Sequence, residues 1–65
     1  MKVSYDKRAD ALYISFNDQA INETDEDKSG NILIDYSKEG NIAGIEILNA
    51  SNKVLSPSKV DFELL

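Results

Sequence analysis

The sequence predicts an α+β domain that is mostly β: a small antiparallel meander sheet of four to five strands with at most one or two short helical turns. Three observations carry that expectation. Apolar residues recur with a two-residue period along most of the chain, and the stretches concerned are rich in Val, Ile, Tyr and Phe. A glycine-bearing connector, Ser37–Asn41 (SKEGN), separates two such stretches. A ten-residue echo, DEDKSGNILI at Asp25–Ile34 and DYSKEGNIAG at Asp35–Gly44, has the length of one strand of about five or six residues plus a tight turn.

The elements follow in order. Lys2–Tyr5 places Val3 and Tyr5 on one face, and in LYISF residues Leu12, Ile14 and Phe16 alternate with Tyr13 and Ser15. Between them Asp6 can accept a hydrogen bond from its own backbone two residues on, so Lys7–Ala11 reads as one turn, open to being a helical turn capped by Asp6. Asp10, just before the second strand, is not required by a turn; it is expected to bind backbone amides there, the other reading being that it reaches a partner. Ala20–Thr24 is a weaker strand. Its continuation Glu23–Asp27 holds four carboxylates in five positions and belongs at a solvated edge or loop.

NILIDYS then puts Ile32, Ile34 and Tyr36 opposite Leu33 and Asp35, and IAGIEIL sets Ile45 and Ile47 against Glu46 and Leu48. Gly40 supplies the positive φ of a type I turn with a G1 bulge, which makes this pair the best-defined hairpin; Gly44, inside a strand, marks a bulge or a close approach. Asn49–Val54 reads as a turn or short helix. Ser56-Pro57 punctuates the chain, and the alternation of Val60, Phe62 and Leu64 favours a last strand, with a helix begun by Ser56 and Pro57 as the alternative.

Sixty-five residues make one domain, 1–65, and so short a chain buries only about 60% of its unfolded surface. A partner subunit would add to that. The chain has no Cys and no His, which excludes a disulfide scaffold, thiolate zinc sites, Ser-His-Asp hydrolases and Cys-His proteases. No membrane span, signal peptide or cofactor is expected, and the cytoplasm is the expected compartment. The net charge of -5 and the scattering of Lys2, Lys7, Arg8, Lys28, Lys38, Lys53 and Lys59 argue against binding nucleic acid, whereas an acidic face suits a basic protein partner.

Both copies of the echo match the opening of a calcium loop, D-x-[DN]-x-[DNS]-G-x-[IL], and in the second copy Glu46 falls on the bidentate twelfth position. Asp35, Glu39 and Glu46 would then be the ligands of a weak divalent-cation site. Against it, the flanks have a strand period rather than a helical one, and the first copy has Tyr36 where the bidentate acid belongs. The preferred reading is two successive strand turns, with no metal.

Carboxylate chemistry needs two acids held at a defined separation, one with a raised pKa. Asp10, Asp35 and Glu46 are the candidates because each lies in or beside an apolar strand; the preferred reading is that they are solvent-facing residues on a one-sided sheet. Tyr5, Tyr13 and Tyr36 are candidate proton donors or, more simply, core residues with hydroxyls at the rim. The three glycines do not form a phosphate-binding spacing.

Tyr5, Asp6, Ala9, Asp10, Ala11, Leu12, Tyr13 and Ile14, resumed by Asp35, Tyr36, Gly40, Gly44, Ile45, Glu46, Ile47, Leu48, Ala50 and Ser51, form a specific spaced pattern. In it the chain resembles the YuzE-like family of small bacterial and archaeal proteins, a domain of unknown function. The resemblance implies a compact α+β or mostly β domain with no catalytic residues to carry over, and makes an antitoxin-like role thinkable. The small core, acidic surface and lack of His and Cys lead to the functional expectation. It is an interaction domain, a homodimer or the binder of a small basic protein, rather than an enzyme that uses a carboxylate and a tyrosine at a subunit interface.

Overall fold

The computed structural model, which describes residues 1–65, is mostly β, with five strands in one open antiparallel sheet. They are β1 (Lys2–Asp6), β2 (Ala11–Ser15), β3 (Ile21–Glu26), β4 (Ile32–Ser37) and β5 (Ile42–Leu48), and one 3-10 turn, Ala50–Asn52, follows them. The spatial order is β1-β2-β5-β4-β3. Thus β3, β4 and β5 make the expected meander, while β2 leaves the β1 hairpin and lies beside β5, which turns the last four strands into a Greek key. Crossing from β2 to β3 spans three strand spacings, about 14 Å, a distance that the near-extended segment 16–20 can bridge. Its first residues hold to β5, Phe16 N–H donating to the Ala43 carbonyl at 2.8 Å and the Asn17 side chain to the Ile42 carbonyl at 3.4 Å.

The turns use the side chains that the sequence marks. Asp6 Oδ1 accepts from the amides of Arg8 (3.0 Å) and Ala9 (3.1 Å), closing the β1–β2 connection without a helical turn. The two echoes become two hairpin turns that share one bond: Gly30 (φ 75°) donates to the Asp27 carbonyl and Gly40 (φ 88°) to the Ser37 carbonyl. Asp27 Oδ1 also accepts from Ser29 Oγ (2.7 Å) and the Ile32 amide (3.2 Å). These bonds hold the Asp27 carboxyl below its ordinary range, Ser29 contributing most. A register shift between Asp35 and Tyr36 leaves Ala43 as the extra residue of a bulge beyond the second turn.

The acidic stretch became the edge strand β3, exposed along its whole length, as its charge requires. Residues 56–65 depart from the expected last strand and from the helical alternative: they lie outside the sheet, Phe62 being 80% exposed. Alternation says which side chains would share a face, but a strand also needs a neighbour's ladder, and nothing after Ser51 pairs with an edge. No helix is long and apolar enough to cross a membrane.

With one layer only, the core is thin. The buried apolar residues are Ala11, Leu12, Ala43 and Ala50, and no large side chain is fully buried. The Cα radius of gyration is 12.3 Å, above the roughly 10.7 Å typical of a compact chain this long.

Candidate functional site

Pairing register sorts the side chains into two unlike faces. On one, Val3, Ile14, Ile45 and Ile34 are aligned across β1, β2, β5 and β4, and Tyr5, Leu12, Ile47 and Ile32 form the next row. Ile42 and Tyr36 continue the carpet at one end. No second layer of strands or helices covers it: Leu12 alone among these residues is buried, and even Ile45 and Ile47, on the central strand, stay partly open to solvent. A sheet face of this kind is buried against a second layer in stable domains.

The opposite face is polar and internally satisfied. Tyr13 on β2 lies across Gly44 on β5 and donates its hydroxyl to Asp35 Oδ2 on β4 at 3.0 Å, while Thr24 on β3 donates to Asp35 Oδ1 at 2.6 Å. Three strands, β2, β3 and β4, are thereby tied across β5 by one carboxylate that is only 8% exposed. Gly44 is required for this: a Cβ there would lie 2.7 Å from Tyr13 Cζ and 2.9 Å from the Ile14 carbonyl oxygen. The close approach expected at Gly44 is therefore the Tyr13 ring. Burial, then the Asp35 bond and the negative charges of Asp35 and Glu46, push the Tyr13 hydroxyl above its ordinary pKa. That direction is away from neutrality, opposite to the tuning a proton-shuttling group needs.

The other sequence candidates separate. Glu46 is half-buried beside Tyr13, between it and Leu33. Glu39 is exposed at the tip of the β4–β5 turn, which joins two strands rather than two helices. No three His, Cys, Asp or Glu side chains converge, so Asp35, Glu39 and Glu46 do not form a common ligand set here.

Asp10 is far from them in role. At φ 53° it ends the β1–β2 turn, accepting Tyr5 Oη at 2.6 Å and the Ser51 amide at 3.0 Å on Oδ1, and Ser51 Oγ at 2.7 Å on Oδ2. Its carbonyl also accepts the Ala50 amide at 3.0 Å. Asp10 does bind a backbone amide, but that of a turn 41 residues away rather than its own. It fastens the first hairpin to the end of β5, and Ala50 beneath it is wholly buried. The Tyr5 and Ser51 bonds hold the Asp10 carboxyl low, and the same Tyr5 bond raises the Tyr5 hydroxyl.

Sequence reading missed Thr24 and Ser51 as partners. Thr24 sits among acids and Ser51 in a polar turn, so only the strand order brings them to Asp35 and Asp10. Two hollows mark the surface, one lined by Met1, Lys2, Ser15, Asn17 and Asp18, the other by Tyr5, Lys7, Pro57 and Ser58. Neither contains Asp10, Asp35 or Glu46.

These features define a one-layer antiparallel domain with two internal polar ties, at Asp35 and at Asp10, and a largely open apolar face. The family model described as "Protein of unknown function (DUF2283)" matches residues 2–51, and the chain belongs to that family. No curated protein and no solved structure matches the chain. The matched span runs from β1 to Ser51 and so includes both polar ties.

Proposed function

We propose that this chain is a small cytoplasmic interaction domain that self-associates by laying its apolar sheet face on that of a second copy. One observation carries the reading: in the rows Val3–Ile14–Ile45–Ile34 and Tyr5–Leu12–Ile47–Ile32 every residue but Leu12 stays at least partly exposed in the single chain. Area supports it. The chain exposes 5139 Å², whereas a folded monomer of 7.2 kDa exposes about 4,100 Å². The excess, about 1,000 Å² and shared with residues 56–65, is of the size one partner hides in an ordinary interface, about 800 Å². A second copy is the simplest cover because it presents an identical apolar face, and two such faces stack about 10 Å apart as a sandwich.

Sedimentation at high micromolar concentration tests this. A dimer is expected, and a monomer at every concentration would overturn it. The exposed acids Glu23, Asp25 and Glu26 on β3 favour a second contact, with a small basic protein, which is the form an antitoxin-like role would take. Co-expression with a basic neighbour encoded beside the chain tests that contact. A neighbour equally harmless with and without this chain would remove its support. The enzyme reading retains Tyr13, Asp35 and Glu46 as neighbours, but no hollow adjoins them to seat a substrate.

A further inference from the structure

The sheet has two free edges, and they are chemically opposite. β3 presents acids on both of its faces, Glu23 and Asp25 on one and Glu26 on the other. β1 presents Lys2, Ser4 and Asp6 on the polar face and Val3 and Tyr5 on the apolar one. One segment of the chain has the complementary pattern and no partner: Lys59–Leu65, KVDFELL, with Val60 60%, Phe62 80% and Leu64 86% exposed.

We propose that the free edge of β1 is a docking site for an extended segment, and that the chain's own Lys59–Leu65 is its occupant, closing as an antiparallel sixth strand. The structure shows the open arrangement. Pro57 and Ser58 already line a hollow with Tyr5 and Lys7, at the Asp6 end of β1, and a turn closed by Lys59 N–H donating to the Ser56 carbonyl reverses the chain there. From that point an antiparallel path sets Lys59 opposite Asp6, Val60 opposite Tyr5, Asp61 opposite Ser4, Phe62 opposite Val3, Glu63 opposite Lys2 and Leu64 opposite Met1. Every apolar residue then meets an apolar one, and both Lys–acid pairs are of opposite sign.

The alternatives are worse on the same rules. A one-residue slip turns Phe62 onto the polar face, and a two-residue slip either brings Asp61 against Asp6 or carries Glu63 and Leu64 past the start of β1 with no residue opposite. On β3 the segment's acids would meet acids. Closure would cover the unpaired amides of β1, a device by which proteins protect an edge, and would widen the apolar face by Val60, Phe62 and Leu64. The segment lies beyond the residues matched by the family model.

Amide hydrogen exchange of β1 in the intact chain tests the proposal separately from self-association, because it reads an edge and not a face. The outward-facing β1 amides are expected to exchange about tenfold more slowly in the wild type than in Phe62→Asp, the equivalent of about 1.4 kcal/mol. Glu63→Lys should lose that protection and the double variant Lys2→Glu/Glu63→Lys should regain it. Equal exchange in wild type and Phe62→Asp would overturn the proposal. So would protection that appears only as concentration rises, which would assign the edge to the segment of a second copy.

Discussion

The two faces of the sheet are built from alternate residues of the same strands, yet they solve opposite problems. On the polar face the buried carboxylate finds its partners inside the chain: Tyr13 and Thr24 bond Asp35, with Gly44 making room. On the apolar face Ile14, Ile34, Ile45 and Ile47 touch their cross-strand neighbours and stop there. The polar face therefore fixes which strands are adjacent, and the apolar face supplies the drive to add another layer. A chain with no Cys and so thin a core needs both, since hydrogen bonds set register at a small net gain while burial provides most of the stabilisation.

The largest effect should come from charging the centre of the apolar face. Ile45→Asp places a carboxylate where two copies would meet, so self-association should weaken by at least about 100-fold, roughly 3 kcal/mol. Sedimentation reads this, and circular dichroism checks that the sheet persists. Because Ile45 also packs within the chain, Val3→Lys at the margin provides a second variant, with a smaller loss of association and little change in fold. Dimerisation unaffected by either variant would separate the apolar face from self-association.

On the polar face the largest effect belongs to Gly44→Ala. The new methyl cannot coexist with the Tyr13 ring or the Ile14 carbonyl as they stand, so the ring must swing away and β2 and β5 must part slightly. A loss of about 2–3 kcal/mol in urea unfolding is expected. Asp35→Ala comes next. It strands the hydroxyls of Tyr13 and Thr24 and should cost about 2 kcal/mol, whereas the association constant of the folded chains, set by the other face, should stay within about twofold. If Asp35→Ala abolished association while leaving stability intact, the division of labour between the faces would be wrong.

Much of this contrast was legible in the residues and some was not. Alternation alone assigned Ile32, Ile34, Ile45 and Ile47 to one face and Asp35 and Glu46 to the other, and the repeated Lys-x-Gly-Asn-Ile located both hairpin turns. The insertion of β2 beside β5 was hidden, because no local pattern records which distant strand completes a sheet. That single topological fact brings Tyr13 to Asp35 and Asp10 to Ser51. The expected strand at Val60–Leu64 failed as a statement about the single open chain for the same reason: its pattern is present, and its ladder is not.

The smallest effect is a pH dependence, and it has two limbs. Asp10 and Asp27 have folded-state pKa values below the ordinary 3.8, so each favours folding when ionised. Their contribution is present above that value and is lost as pH falls through the lower folded one. Tyr13 and Tyr5 are shifted the other way, above 10.0, so their contribution is present below that value and is lost as pH rises through the higher folded ones. Stability should accordingly be flat between about pH 5 and 9 and fall on either side, with both limbs shallow because the groups are well solvated. Asp10→Asn should make the acid limb shallower, leaving the Asp27 part, and should also soften the Tyr5 part of the alkaline limb, since an amide in that place still accepts from Tyr5 and from the Ser51 amide but carries no charge. Tyr13→Phe should make the alkaline limb shallower, leaving the Tyr5 part, and should leave the acid limb unchanged. Urea midpoints taken across the range, for the wild type and both variants, read the two limbs. An acid limb unchanged in Asp10→Asn would mean that the tie between the first hairpin and the turn at Ser51 is not made by a carboxylate in the folded chain.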